Sequence, residues 1–388
     1  MAEIEDSQEN REDFLEEEPT EKRPYYFQLD VLKAIAIAFV VMDHSLTWEV
    51  KGALGNVFWE RLSIPFFLLV MGFNLGLSFK HREAESLRDL YTGEYFKRRF
   101  KRYVIPFLIL YAASILLGTY FQYLSWDEHN LLGYLPFWGP GNWFIALLFG
   151  SIVIFPLVYW AFNKHPALTV VLCFLSEIIL QLVLYLYFPY PYGSELEAFI
   201  VIAIRLNVLF YLPAVGLGLW FSRGFELGKV RNFFIFVYAP LSALFMFDYQ
   251  TWFFSSMTGP VGQFFIFVND FIRGDYTFLF YGYAAFLFLL AMSGLPSRAS
   301  GKLQGLVQDI GRASYHILLF QICYMSVVYW LTLNDAVIYK FIPDFAAIYS
   351  WPTELYYIPF YLMNLTFAFA GGLLWYYSER WIRRKRRG

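Results

Sequence analysis

Ten apolar segments, each about 20 residues long, dominate this sequence and constrain its fold more than any other feature. Such a segment matches the thickness of a hydrocarbon core, where only a helix satisfies its own backbone hydrogen bonds. Hydrophobic residues make up 58% of the 388 residues and charged residues 16%, a balance that excludes an ordinary soluble domain. The sequence therefore predicts an all-α polytopic membrane protein with about ten transmembrane helices. Their predicted ranges are 31–50, 57–79, 104–123, 143–162, 167–188, 198–221, 232–249, 276–294, 314–333 and 355–378.

Positive charge is distributed unevenly between the two sides that alternating spans define. The predicted inner segments hold 25 Lys or Arg residues and the outer loops four. Because cytoplasmic loops are enriched in Lys and Arg, we expect both termini to be cytoplasmic and the chain to be a multi-pass protein of the cytoplasmic membrane. We divide it into a disordered acidic cytoplasmic tail (1–24), a membrane domain (25–381) and a basic cytoplasmic tail (382–388).

Two cysteines, Cys173 and Cys323, both lie within apolar runs. We interpret them as buried packing residues, so the sequence predicts neither a disulfide framework nor a metal site. Membrane lipids are an expected partner and nucleic acid is not. The oligomeric state stays open.

An Asp–His pair interrupts the first apolar segment, LDVLKAIAIAFVVMDHSLTW, near its outer end. Ionisable residues inside a membrane span are rare and usually mark working sites. Because an imidazole titrates near neutral pH, we interpret His44 as a catalytic base. From the helix rise, His44 and Arg205 both lie about 10 Å below the outer surface. Arg61 lies slightly shallower and Glu177 nearer the middle, so we expect these residues and Asp43 to converge in the outer half of the bundle.

A structural interpretation stays open for each of these residues. In it, Asp43 pairs with Arg61 or Arg205 to fix helix packing, and His44 hydrogen-bonds a backbone carbonyl. Adjacent helical residues point about 100° apart, so we do not expect Asp43 to orient the imidazole of His44. We expect one of the two arginines to be the partner of Asp43.

A second group of charged residues lies at the inner face. Lys33 precedes His44 by eleven residues, about 16 Å along a helix, and Arg99 and Arg102 crowd the start of the third span. Such a cluster can bind an anionic cytosolic ligand. It is equally typical of positive-inside charge or of contacts to lipid headgroups.

Several short motifs follow one another along the chain. Ten residues separate Lys33 from His44 in LDVLKAIAIAFVVMDH, RLSIPFFLLVMGF begins the second span, and RRFKRYVIP begins the third. GNWFIALLFGSIVIFPL, FYLPAVGLGLWFSR and IGRASYHILLFQ follow in the fourth, sixth and ninth spans. From about Gln28 to Trp381 this order resembles the acyltransferase-3 family of integral membrane O-acyltransferases. Lys33 stands where many members have arginine, and Met71 where serine is usual.

The resemblance implies transfer of an acyl group, commonly acetyl from acetyl-CoA, to a hydroxyl group of a carbohydrate or other envelope molecule. Acyl-CoA is then a donor substrate, and no cofactor is bound permanently. With the residues above, it implies a catalytic group of His44, Asp43, Arg61 and Arg205. The CoA phosphates would rest on Lys33, Arg99 and Arg102, and the acceptor would contact Asn142, Trp143 and Glu177.

Two other functions remain open. A secondary transporter or a flippase for a lipid-linked substrate would also combine about ten spans with charged residues at mid-depth. The sequence contains only a nine-residue echo between RLSIPFFLL and RYVIPFLIL, which is too short to support an inverted repeat. A sensor that kept the fold and lost the chemistry is the third possibility, suggested by the departures at Lys33 and Met71.

Overall fold

The computed structural model describes residues 24–46, 48–81, 86–124, 135–137, 139–189, 192–229, 232, 234–272, 274, 276–333 and 353–385. Over these residues the protein is helical and has no β-strand, as the apolar pattern predicts. Apart from Pro24, the predicted acidic tail lies outside the described residues. The longer helices are α1 (Phe27–Ser45), α2 (Ser63–Lys80), α3 (Ile105–Tyr120), α4 (Trp143–Lys164), α5 (Pro166–Tyr187), α6 (Glu195–Arg205), α7 (Leu212–Ser222), α8 (Ile235–Thr251), α9 (Pro260–Phe271), α10 (Phe278–Gly294), α11 (Gly301–Leu333) and α12 (Thr353–Lys385).

Each of the predicted spans overlaps a helix, but not every helix is suited to cross a bilayer. Five helical segments in the described part of the chain are long and apolar enough: Asn56–Lys80, Leu87–Tyr120, Trp143–Lys164, Pro166–Tyr187 and Ile358–Lys385. A sixth exists if α6 and the helical segment that follows it form one span. The structure therefore supports five or six crossings on length and composition.

The predicted sixth span is broken. Its two halves, Glu195–Arg205 and Val208–Ser222, are bent by 48°. The side chain of Asn207 accepts a hydrogen bond from the backbone N–H of Leu209 at 3.0 Å and so caps a new helical turn. Arg205, which we placed inside a continuous span, is instead the last residue of α6.

α2 and α7 pack so closely that glycines are required at their crossing. A Cβ on Gly72 would lie 2.2 Å from the carbonyl oxygen of Val215, and one on Gly218 would lie 2.2 Å from that of Leu69. No side chain fits at such distances, so these positions let the two backbones touch. The crossing belongs to the main core of the bundle and fixes the position of α2 beside the site described below.

The chain enters α3 through a series of short helices. Leu87–Leu90 begins with a capping box between Ser86 and Asp89, Thr92 caps Gly93–Arg99, and a π-helical stretch covers Phe100–Val104. This segment precedes α3 in the chain. It carries Arg99 and Arg102 to the end of the bundle that also holds the start of α1.

Candidate active site

A cavity of about 250 Å³ lies beside the last turn of α1. Its lining comes from α1, α2, α4 and α11, and from the segments just before α2, α4 and α10. Its charged or polar lining residues are Asp43, His44, Lys51, Glu60, Arg61 and Ser63. Its aromatic lining residues are Phe67, Trp143, Phe144 and Tyr276. The cavity therefore combines ionisable groups with a flat apolar surface.

His44 lies in the last turn of α1, and its side chain is 20% exposed. Its Nδ1 atom is 3.7 Å from Oδ2 of Asp43, a charge contact too long for a hydrogen bond. This distance agrees with the expectation that neighbouring helical residues diverge. Nε2 faces Gly141, because it lies 3.7 Å from the position that a Cβ would take on that residue.

The closest charged contact that the structure gives Asp43 is Lys51, whose Nζ lies 2.5 Å from Oδ1. We expected Arg61 or Arg205; the structure gives Asp43 an ion pair with Lys51 and also places Arg61 within electrostatic range of it. Lys51 belongs to the short helix Trp48–Ala53, which follows α1 in the chain, and its side chain contacts the end of α1. Sequence reasoning placed Lys51 in an outer loop and gave it no role.

Glu60 extends the charge network around Lys51. Its Oε1 atom lies 3.7 Å from the Lys51 ammonium, and its Oε2 atom accepts hydrogen bonds from Gln250 at 2.9 Å and from Asn56 at 3.3 Å. Glu60 and Asn56 are 4% and 8% exposed. One ammonium therefore lies between two carboxylates, Asp43 and Glu60, in a largely buried setting.

Replacing Lys51 by methionine should destabilise the protein by up to about 3 kcal/mol, because Asp43 would lose its ion-pair partner in a largely buried setting. The measurement is the thermal midpoint of unfolding in detergent. The double variant Lys51→Met with Glu60→Gln should recover most of the loss, since one carboxylate charge disappears. An unchanged midpoint in the single variant would contradict the assigned network.

Arg61 is 6% exposed and lines the cavity immediately before α2. Its guanidinium carbon lies 5.3 Å from the ring centre of Tyr249 and 5.8 Å from that of Tyr276. Both distances are in the range of cation–π contacts. The aromatic rings therefore hold the cation at the cavity wall.

Trp143, one of the aromatic residues that line the cavity, stacks against two other rings. Its ring lies 6.0 Å from that of Tyr211, with an interplanar angle of 24°, and 6.0 Å from that of Tyr276, with an angle of 30°. Asn142 directly precedes Trp143 and is 4% exposed. Its side chain makes no capping hydrogen bond to α4. Trp143 and Tyr276 thus contribute flat apolar surface to the cavity.

Arg205 and Glu177, which we expected to converge with His44, lie outside the cavity. Neither Arg205 nor Glu177 contributes to the cavity as the described residues define it. Arg205 lies near Gly274, with Nε 3.9 Å from the Cβ position of that glycine. Glu177 is fully buried and accepts a hydrogen bond from the backbone N–H of Phe278 at 2.8 Å, so it caps the start of α10.

The basic cluster at the other end of α1 converges on Tyr103. Guanidinium carbons of Arg99 and Arg102 lie 5.8 Å and 5.4 Å from the centre of its ring, and Lys33 is within electrostatic range of its hydroxyl. Lys33 also pairs with Asp30 at 2.5 Å. The structure thus brings together the three basic residues that the sequence grouped.

The family model described as "Acyltransferase domain" matches residues 26–336. The chain belongs to the acyltransferase-3 family. No curated protein and no solved structure gave a significant match. The matched region contains every residue that lines the cavity and also Lys33, Arg99 and Arg102 of the basic cluster.

The acyltransferase-3 motifs can be located in the fold. Lys33 and His44 lie at opposite ends of α1, and Arg99 and Arg102 stand before α3. Met71, the departure from the usual serine, is partly buried in α2 and does not line the described cavity, whose α2 contribution is Ser63, Ile64 and Phe67. Having methionine at position 71 instead of serine therefore does not change the residues that line the cavity.

Proposed function

We propose that this protein transfers an acyl group, most simply acetyl, from cytosolic acyl-CoA to a hydroxyl group of an extracytoplasmic carbohydrate or envelope lipid. One observation carries the proposal: in a chain of the acyltransferase-3 family, His44, Arg61 and several aromatic rings line the same cavity. An imidazole can take a proton, a cation can stabilise an oxyanion, and an aromatic face can pack against a sugar ring.

In the proposed reaction the acceptor oxygen attacks the carbonyl carbon of the thioester while His44 takes the hydroxyl proton. A C–O bond forms, and the carbonyl electron pair moves onto its oxygen. When this tetrahedral oxyanion collapses, the C–S bond breaks and the departing CoA sulfur takes the proton from the imidazolium. The products are the acyl ester and free CoA, so the reaction needs no covalent enzyme intermediate.

Arg61 is our candidate for the residue that stabilises the oxyanion. The sequence left Arg61 and Arg205 as alternatives, and the position of Arg61 in the cavity wall favours it. A fixed positive charge acts more strongly in a water-poor enclosure than in bulk water. Asp43, held by Lys51, adds a negative charge that stabilises the imidazolium as it forms.

The donor would enter from the end of α1 that carries Lys33. Its phosphates would bind the cluster of Lys33, Arg99 and Arg102, and the pantetheine arm would run along the helix toward His44. The eleven residues between Lys33 and His44 correspond to about 16 Å. The acceptor would pack against Trp143, which lines the cavity, with Asn142 beside it.

The test is acyl transfer by the purified protein in lipid nanodiscs. Acetyl-CoA labelled in its acetyl group is the donor, and methyl glucoside at high concentration is a generic hydroxyl acceptor. We expect label in an ester and CoA thiol released in equal amount. Movement of a polar solute into proteoliposomes without CoA release would contradict the proposal and favour a transporter.

Replacing Arg99 by glutamine should raise KM for acetyl-CoA by about tenfold and leave kcat nearly unchanged, because the lost charge contact binds only the donor phosphates. Arg98→Gln is the matched control, since Arg98 is exposed and bonds to Glu94 on the same helix. Equal KM values for the two variants would remove Arg99 from the donor site.

A further inference from the structure

Gln321 is a buried polar residue in α11 whose side chain stabilises no other part of the described structure through a hydrogen bond. Its side chain is completely buried, and among the described residues neither Oε1 nor Nε2 of its carboxamide has a hydrogen-bond partner. Burying an unpaired amide costs free energy, and most buried polar groups are therefore paired. An exception in a helix next to the cavity points to a ligand.

Other buried glutamines in the described chain do make hydrogen bonds. Gln28 donates to the carbonyl oxygen of Leu295 at 3.1 Å, Gln181 donates to Glu177 at 3.4 Å, and Gln308 donates to the Tyr25 hydroxyl at 2.7 Å. Gln321 differs from all three. Hydrogen bonding within the described protein therefore does not explain why a carboxamide is buried at this position.

The amide of Gln321 and the Nε2 atom of His44 both lie close to Gly141. The position that a Cβ would take on Gly141 is 3.7 Å from Oε1 of Gln321 and 3.7 Å from Nε2 of His44. Gly141 has a φ of +90°, which favours glycine, and the missing side chain leaves this point open. Gly141 and Leu318, one helical turn before Gln321, both line the cavity.

We propose that the Gln321 carboxamide donates a hydrogen bond to the acyl carbonyl oxygen during transfer, opposite His44 across the reacting carbon. This inference rests on the proposed function. The acceptor hydroxyl loses its proton to His44 Nε2 as the C–O bond forms, and the carbonyl oxygen, now carrying the electron pair, accepts from Gln321 Nε2–H. Collapse breaks the C–S bond, and the CoA sulfur takes the proton from His44.

The upper limit on the distance between the two groups allows a base and a donor on two sides of one tetrahedral carbon. Two hydrogen bonds and two C–O bonds span roughly 6 to 7 Å between the outer nitrogen atoms. The His44 and Gln321 atoms cannot lie farther apart than twice 3.7 Å. Since no partner fixes the amide, a half-turn about its last torsion exchanges Oε1 and Nε2 and presents the N–H.

Replacing Gln321 by leucine tests the inference, because leucine fills a similar volume and cannot donate. We expect kcat for CoA release from acetyl-CoA, with methyl glucoside as acceptor, to fall about 100-fold. KM for acetyl-CoA should stay unchanged. The unfolding midpoint should be equal to that of the wild type or higher, since no protein hydrogen bond is lost.

Gln181→Leu is the matched control, as it removes a buried glutamine that does have a partner. It should lower the unfolding midpoint and leave kcat per folded molecule unchanged. Gln321→Met, which is unbranched, serves as a second variant.

The inference is overturned if Gln321→Leu keeps the wild-type kcat, or if both Gln321 variants lose stability in step with activity or fail to fold. A wild-type protein that releases no CoA rejects the proposed function instead. The two failures are therefore distinguishable.

Discussion

Alanine in place of His44 should lower the rate of acyl transfer by about 10²- to 10⁴-fold, the range that a positioned general base supplies. The acceptor hydroxyl would then have to lose its proton without a base at the point of attack. The side chain lies at the cavity wall in the last turn of α1, so its removal should leave the unfolding midpoint close to that of the wild type. The measurement is the initial rate of CoA release from acetyl-CoA in nanodiscs.

His165→Ala is the control for this variant. His165 is an exposed residue between α4 and α5, and nothing in its position links it to the cavity. It should keep the wild-type rate. A His44→Ala protein that stays folded and transfers acetyl at the wild-type rate would remove the general base from the mechanism.

Valine at Gly218 should prevent the bundle from assembling. A Cβ there would lie 2.2 Å from the carbonyl oxygen of Leu69, and backbone atoms cannot move aside as a flexible side chain can. To relieve the clash, α7 would have to separate from α2 along a crossing that belongs to the main core. We expect almost no monodisperse protein after size-exclusion chromatography.

Gly305→Val provides a comparison within another helix. Gly305 has nothing within 4 Å of its Cβ position, and valine has a slightly higher helix propensity than glycine, so we expect the substitution to cost no stability. Normal yield of Gly218→Val, or equal losses for both variants, would contradict the close approach of α2 and α7.

The apolar pattern predicted the helical fold because a chain this hydrophobic has few other ways to satisfy its backbone. It did not predict the break between Arg205 and Val208. Hydropathy is insensitive to one polar residue, and the break depends on the side chain of Asn207 capping a new turn. Arg205 was consequently assigned a depth from a straight helix that does not exist.

For the site, the sequence was informative where residues share a helix. Lys33 and His44 lie on α1, and the rise per residue gives their separation directly. Lys51, Glu60 and Gln250 were missed because they come from loops and from helix ends far apart in the chain, where no periodicity predicts contact. Gln321 carried no signal either: in sequence it is one polar residue in an apolar segment.

The central claim is that a thioester reaches His44 from the basic end of α1. Its most direct test is a structure of the protein in nanodiscs with a non-hydrolysable acetyl-CoA analogue. We predict phosphates against Lys33, Arg99 and Arg102, and the carbonyl carbon about 5 Å from His44 Nε2, which leaves room for the acceptor oxygen at about 3 Å from each. An analogue bound with its acetyl group outside the cavity would contradict the account.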